Sequence, residues 1–323
     1  MPFHKGHTPG HVTLQMSLRL RERLYKGLHE KNAIQRFLAR RFLFGVGQRL
    51  GFHITGDHFY EIVPNTRTVA KLYAAGPRPL TGIDWRFAQC EQRALRLIAL
   101  FGAEYAEACR THGFREDNPY FKGFDALGLY LMLRDLKPDK LIEVGQGIST
   151  QVALWALQRN TQETGRSVEF VSIDPYRRAA GLPCPERVRL TILNQPLQSV
   201  QFDALLEGCR FVFIDSSHVY KFGSDVALEF VQIYPRLLPG TILHLHDIYS
   251  PYEYPLDWLV YWKRFWNEQY FLECFLMFNQ AFEVLLPMNL LTEQSRAMME
   301  AAHRLPLAEN FRFRGSSFYL LRK

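Results

Sequence analysis

The spacing of apolar residues changes character along the chain. From Leu14 to about Leu50, Leu20, Leu24 and Leu28 recur every four positions. Ile34, Phe37, Leu38 and Phe42 follow, with arginines between them. That period predicts an amphipathic helical arm over residues 1–50. Residues 51–115 open on "GFHITGDHFYEIVPNTR", dense in turn residues and without clear period, and lead into a helix predicted from about Trp85 to Thr111. His58 and Tyr60 in that region are candidates for a lid.

From Asn118 onward strand-like and helix-like runs alternate. "FDALGLYLMLRDLKP" is an apolar helix stopped at Lys137-Pro138. "KLIEVG" is a strand, and "STQVALWALQRNTQETG" a helix with Ser149 or Thr150 as its N-cap and Gly165 as its stop. "VEFVSID", "RVRLTIL" and "RFVFID" are three further strands. The helix "SDVALEFVQIYPRLLPG" precedes the strand "TILHLHD". A long aromatic helix is predicted from about Leu256 to Phe278, carrying Trp258, Trp262 and Trp266 into the core, and "FEVLL" and "SSFYLLR" complete seven strands. Such alternation predicts an α/β fold, a Rossmann-like, doubly wound, mostly parallel sheet covered on both faces, over residues 116–323.

A composition of 47% hydrophobic and 14% aromatic residues supports a large core and excludes a disordered chain. Five scattered cysteines without a CxxC exclude a disulfide framework or zinc knuckle and suit a reducing cytoplasm. No apolar run reaches the roughly 20 residues of a membrane span, and no secretory signal is recognisable. The net charge of +7 is local: residues 1–50 hold ten Lys or Arg against two Glu, and the rest is near neutral. No nucleic-acid partner is therefore expected. The basic arm, residues 14–50, suits packing on its own domain or peripheral contact with a membrane or a protein.

Candidate chemistry gathers at the strand ends. Gly145 and Gly147 in "EVGQGIST" permit a tight strand–helix turn and close approach of a ligand. Thr150 stands where a dinucleotide fingerprint would place its third glycine, which disfavours a pyrophosphate site. Asp174, ending the second strand, is placed to accept ribose hydroxyls. Asp215 ends the fourth strand, His218 follows three residues later, and His246-Asp247 ends the fifth. Neighbouring strands lie about 4.8 Å apart, so these side chains should converge. Two carboxylates in one pocket call for a cation or a shared proton, and Mg²⁺ or another divalent metal would answer that. His244, one pleat deeper, is expected to be a core histidine with a hydrogen-bond partner.

The motifs "IEVGQGIST", "FIDSSHVYKFGSDV", "LLPG" and "HLHDIYSPYEYP" resemble class I S-adenosylmethionine-dependent methyltransferases, in the branch of bacterial macrolide-sugar O-methyltransferases and cephalosporin-hydroxylase-like proteins. The resemblance covers about Asn118 to Lys323 and implies an antiparallel last strand. It implies S-adenosylmethionine held by Glu143, Gly145, Gly147, Ser149, Asp174, Gln195 and Asp215, with Asn194 beside Gln195 at the adenine. It implies a metal at Asp215, His246 and Asp247, with His218 as base supported by Asp215. His246 replaces an acid of the family pattern, so a nitrogen-tolerant ion such as Mn²⁺, Fe²⁺ or Zn²⁺ competes with Mg²⁺. The function implied is O-methylation of a small-molecule or sugar hydroxyl, in natural-product or glycan modification. A catalytically silent binding or scaffold subunit and a nicotinamide-dependent oxidoreductase are the alternatives. Oligomeric state, a homo-oligomer included, stays open.

Overall fold

The computed structural model describes residues 44–53, 57, 61–176 and 181–323. Most of the predicted basic arm, and His58 and Tyr60, lie outside the described residues. The chain divides into two compact units, Met1–Leu72 and Tyr73–Lys323. In the first, α1 (Phe44–Arg49) and α2 (Thr66–Leu72) are short helices, and the side-chain carbonyl of Asn65 accepts from the amides of Arg67 and Thr68 at the start of α2.

The second unit holds the sheet. Its order is β3-β2-β1-β4-β5-β7-β6, with β1 Lys140–Val144, β2 Val168–Ile173, β3 Val188–Leu193, β4 Phe211–Ile214, β5 Ile242–Leu245, β6 Phe282–Pro287 and β7 Phe318–Arg322. β1 to β5 pair in parallel, and β7 runs antiparallel to both β5 and β6. The seven strands and the antiparallel last one match the expectation. Strand order reverses between β1 and β4, so a crevice opens at their carboxyl ends, where doubly wound folds bind ligands. Val144 pairs with Ile214 at that point, and Gly145 and Asp215 are the next residues on each strand.

The central strands are buried along most of their length because helices cover the sheet. The α3 helix (Phe87–His112) packs on α4 (Phe124–Leu136), and α4 packs on α5 (Ile148–Thr164). The α4 helix buries nearly every residue, Leu127, Leu129, Tyr130 and Leu133 among them. At full burial each such side chain contributes about 1.5–3 kcal/mol, so this one helix anchors much of the core. Its buried Arg134 is bridged to Glu104, Glu163 and Asn160.

Two predicted elements come out differently. The segment from Leu256 to Phe278 is broken into α8 (Leu256–Val260) and α9 (Glu268–Leu276), with Lys263 in a left-handed conformation between them. After β4 and a short α6 (Phe202–Leu206) before it, the helix beginning at Ser224 is regular only as α7 (Asp225–Leu228). It then widens into a π-turn over Glu229–Ile233 and tightens into a 3₁₀ turn at Tyr234–Arg236. Pro235 has no amide hydrogen to continue the ladder. Two further helices, α10 (Met288–Gln294) and α11 (Arg296–His303), precede β7.

Candidate active site

The turn after β1 is set by one glycine and one buried acid. Gly145 has φ 91°, and a Cβ there would lie 2.2 Å from the carbonyl oxygen of Asp215. Only glycine lets the β1 turn pass this close to the end of β4. Gly147 is different: its φ of 168° is ordinary extended backbone, and nothing lies within 4 Å of an added Cβ. Space above Gly147 is open, as a ligand-facing position requires.

Glu143 holds the turn from below. Its carboxylate accepts hydroxyl hydrogens from Ser149 (2.8 Å), Thr150 (2.7 Å) and Ser172 (2.6 Å). Burial raises its pKa, and although the three hydroxyls oppose that, it stands at about 7. The N-cap of α5 is Gly147 rather than Ser149 or Thr150. The helix begins at Ile148, so both hydroxyls fall in its first turn, where they reach Glu143, and Thr150 Oγ1 also accepts from the Gly147 amide. Asp174, buried at the end of β2, accepts from the amides of Gln146 (3.1 Å) and Tyr176 (2.5 Å). Gln195 and Asn194 follow β3, two strands from Gly145.

The side chains after β4 and β5 do converge. His246 Nδ1 lies 3.2 Å from Asp215 Oδ1 and 3.8 Å from Asp247 Oδ2, and His218 Nε2 lies 3.3 Å and 3.8 Å from the same two atoms. Asp215, His246 and Asp247 offer ligand atoms that all fall within 4.8 Å of one another. One imidazole nitrogen and two carboxylates form a donor set that a borderline divalent ion accepts. The far nitrogen of each histidine meets another carboxylate: His218 Nδ1 is 2.8 Å from Glu268 Oε2, and His246 Nε2 is 3.6 Å from Asp125 Oδ2. The 2.8 Å contact is of hydrogen-bond length and orients the His218 ring, whereas the longer one at His246 is an electrostatic contact.

These partners are themselves anchored. Asp125, in the first turn of α4, accepts from the amides of Ser316 and Ser317, each at 2.7 Å. Ser316 Oγ donates to Asp247 Oδ1 at 3.0 Å. The His218 carbonyl accepts from the amides of Asn267 (3.1 Å) and Glu268 (3.2 Å), tying the loop after β4 to α9. The Trp266 ring lies against His218, with centroids 4.3 Å apart. His218 and Asp247 both adopt left-handed backbone, φ 59° and 57°. For histidine that conformation costs about 1–2 kcal/mol, so the surrounding contacts hold it in place.

Electrostatics follow from this packing. Burial alone would lower the pKa of His218, but hydrogen bonds to Asp215 and Glu268 and the charge of Asp247 lift it to about 10. Burial likewise opposes the charged form of His246, and Asp247, Asp215 and Asp125 reverse that and raise it. Asp215, which burial would raise, is held well below the usual carboxylate range by His246 and His218.

A cavity of about 820 Å³ opens on this cluster. Asp215, His218, His246 and Asp247 line it, together with Trp258 and Trp266. Glu143, the glycine turn, Asp174 and Gln195 lie outside the cavity, on the β1–β3 side of Asp215. Asp215 therefore stands between two sides of the crevice. Trp258 and Trp266 meet edge to face at 5.1 Å and form a pocket wall, while Trp262 is exposed, so the three are not a core stripe. His244 is buried as expected, but neither ring nitrogen has a hydrogen-bond partner among the described residues. Its ring instead stacks on Tyr319 at 4.0 Å and lies against Phe213 at 4.4 Å. Burial keeps it neutral by pushing its pKa down.

Asp125, Glu268 and Ser316 escape sequence reading. Asp125 alone carried a signal, a single carboxylate in the first turn of a helix otherwise nearly all apolar.

A family model described as "Methyltransferase domain" matches residues 142–248. No curated protein matches the chain. Among solved structures, the SAH-bound methyltransferase PaMTH1 of Podospora anserina aligns at 15% identity, covering 80% of this chain and 94% of its own, with a TM-score of 0.36. CmcI in its apo form aligns at 14% identity over 61% and 70%, TM-score 0.35. CalS11, a TDP-rhamnose 3'-O-methyltransferase of calicheamicin biosynthesis, aligns at 12% over 73% and 93%, TM-score 0.34. The segment that matches the methyltransferase-domain model holds Glu143, the glycine turn, Asp174, Asp215, His218 and the His246–Asp247 pair.

Proposed function

We propose that this chain transfers the methyl group of S-adenosylmethionine to a hydroxyl of a small molecule or sugar bound in the 820 Å³ cavity. The observation that carries the reading is the convergence of Asp215, His218, His246 and Asp247 on that cavity, directly beside the glycine turn of the domain. The glycine turn and Asp174 bind the donor, and Trp258 and Trp266 give the acceptor an apolar face.

In the transfer, the acceptor oxygen forms a bond to the methyl carbon while the carbon–sulfur bond of the sulfonium breaks, releasing neutral S-adenosylhomocysteine. The hydroxyl proton passes to His218 Nε2, the ring being aimed by Glu268 at its other nitrogen. His218 must start neutral to accept it, and the negative charge of Asp215, Glu268 and Asp247 works against that. Asp215, His246 and Asp247 would hold a divalent cation, which would supply Lewis-acid polarisation of the hydroxyl and offset the negative charge of the two aspartates beside His218. Positioning supplies most of the remainder, because the sulfonium is already a good leaving group.

Incubation with S-adenosylmethionine tritiated in its methyl group, a divalent cation and a pool of hydroxylated sugars and phenols tests this. Labelled product is expected from the wild type and not from His218→Asn. Equal labelling by that variant would remove His218 as base. Donor that binds yet keeps its label against every acceptor would favour a binding subunit.

A further inference from the structure

The acceptor cavity gathers cationic side chains from three separate segments of the chain. Four cations line it: Lys122, Arg264, Arg312 and Arg314. Among the described residues none of their side chains forms an ion pair or a hydrogen bond to protein. By contrast, Arg78, Arg86, Arg96 and Arg134 each hold a carboxylate, and Arg110 and Arg210 hold carbonyls. The acids lining the cavity are mostly committed. Asp125 accepts the Ser316 and Ser317 amides, Asp215 and Asp247 face the histidines, and Glu253 is bridged to Arg78 and receives the Tyr270 hydroxyl. Among the described residues, Asp257 and Glu293 are the lining acids whose side chains have no bonded partner, and they come from α8 and α10, not from the segment that bears the arginine pair.

The pair is built in by local structure. In "FRFRG", Phe311 is buried against Phe124, while Phe313 packs on Phe124 and stacks on His303 at 3.9 Å. The Arg314 amide donates to the Arg312 carbonyl at 2.7 Å, and the Phe124 amide donates to the Arg314 carbonyl at 3.1 Å. With the phenylalanines turned inward, both alternating arginines are exposed and line the cavity. Two guanidinium forks and a lysine on neighbouring segments are suited to a dianion, which such forks bind through charge-assisted, often bidentate hydrogen bonds.

We propose that the acceptor carries a phosphoryl group, bound by Arg312 and Arg314 with Lys122, while its reacting hydroxyl lies at the Asp215–His218 cluster. This rests on the acceptor-pocket reading above. Among the described residues these cations have no hydrogen-bonded or ion-paired partner and a neutral sugar or phenol brings none; a phosphorylated sugar or a sugar diphosphate ester engages them and is oriented by them.

The test is calorimetric titration of the full chain in EDTA, so that no cation in the aspartate–histidine cluster holds the probe. The probes are inorganic pyrophosphate, D-glucose 1-phosphate and D-glucose, each against the wild type, Arg312→Gln/Arg314→Gln and the control Arg304→Gln outside the cavity. Saturable binding of pyrophosphate and of glucose 1-phosphate, both about tenfold or more tighter than glucose, is expected for the wild type and the control. The double variant should lose about tenfold or more of that affinity while its circular dichroism and its S-adenosylmethionine binding stay unchanged. Absence of binding to the wild type, or equal binding by the double variant, would overturn the proposal. Anion binding that depends on the pair in a protein that binds no S-adenosylmethionine would keep the anion site and discard methyl transfer.

Discussion

Substituting the two glycines of the β1 turn separates a packing requirement from a ligand requirement. In Gly145→Ala the new methyl would sit 2.2 Å from the Asp215 carbonyl oxygen, which is backbone and cannot swing aside. The residue also has φ 91°, outside the range that alanine favours. Overpacking of this kind costs about 1–3 kcal/mol, and unfavourable positive φ about 1–2 kcal/mol more. The sum, roughly 2–5 kcal/mol, is a large part of the 5–15 kcal/mol that holds a typical domain together. Gly147→Ala meets nothing within 4 Å, so its stability should change by less than about 1 kcal/mol. The same open space is where the donor is expected to lie, and a methyl there should weaken S-adenosylmethionine by about tenfold or more. Urea unfolding monitored by tryptophan fluorescence, with the slope held common, gives the stabilities; calorimetric titration gives the affinities. A Gly145→Ala protein as stable as wild type would refute the packing requirement. A Gly147→Ala protein that binds the donor normally would show that the cofactor does not approach this turn.

Glu143 sets a pH dependence. Its folded pKa of about 7 lies above the ordinary 4.5, so the folded state holds a proton that the unfolded chain releases. Its contribution is full below about pH 4.5 and is lost as pH rises to about 7, a difference of about 3 kcal/mol. Urea unfolding at pH 5 and pH 8 should show that loss in the wild type and a smaller one in Glu143→Gln; equal losses would contradict it. Divalent-metal binding should release protons from the two histidines, because both are raised by the carboxylates that a cation would share. Titrations of Mn²⁺ in buffers of different ionisation enthalpy measure the release, and Asp247→Asn should bind about tenfold more weakly or worse; binding unchanged in that variant would remove Asp247 as a ligand. Arg134→Met should destabilise by about 2 kcal/mol, below the full loss for a buried pair because Glu104 and Glu163 can turn to water. A midpoint unchanged in urea would show that the network contributes nothing.

The sheet could be read from sequence because four of the five parallel strands are largely apolar runs that end abruptly in a glycine or a titratable residue, at Gly145, Asp174, Asp215 and His246. Period and turn chemistry are local, and local signals survive in one dimension. The segment from Leu256 to Phe278 misleads for the same reason. Trp258, Trp262 and Trp266 have helical spacing, but the chain reverses at Lys263, and nothing in "WKRFW" marks a left-handed lysine. The residues behind the histidines, Asp125 and Glu268, lie 121 and 50 positions from their partners. Their roles arise from tertiary packing, as does the burial of His244 against Tyr319, where neither ring nitrogen has a hydrogen-bond partner among the described residues. The convergence of His218, Asp215, His246 and Asp247 was legible because the β4–β5 pairing places their strand ends side by side.

The most direct test of donor binding at the β1 turn is calorimetric titration of the metal-stripped protein with S-adenosylmethionine, on the wild type and on Asp174→Asn, with thermal unfolding to confirm that both are folded. Saturable one-to-one binding to the wild type is expected, weakened about tenfold or more when the Asp174 charge is removed. A folded wild-type protein that takes up no S-adenosylmethionine would contradict it.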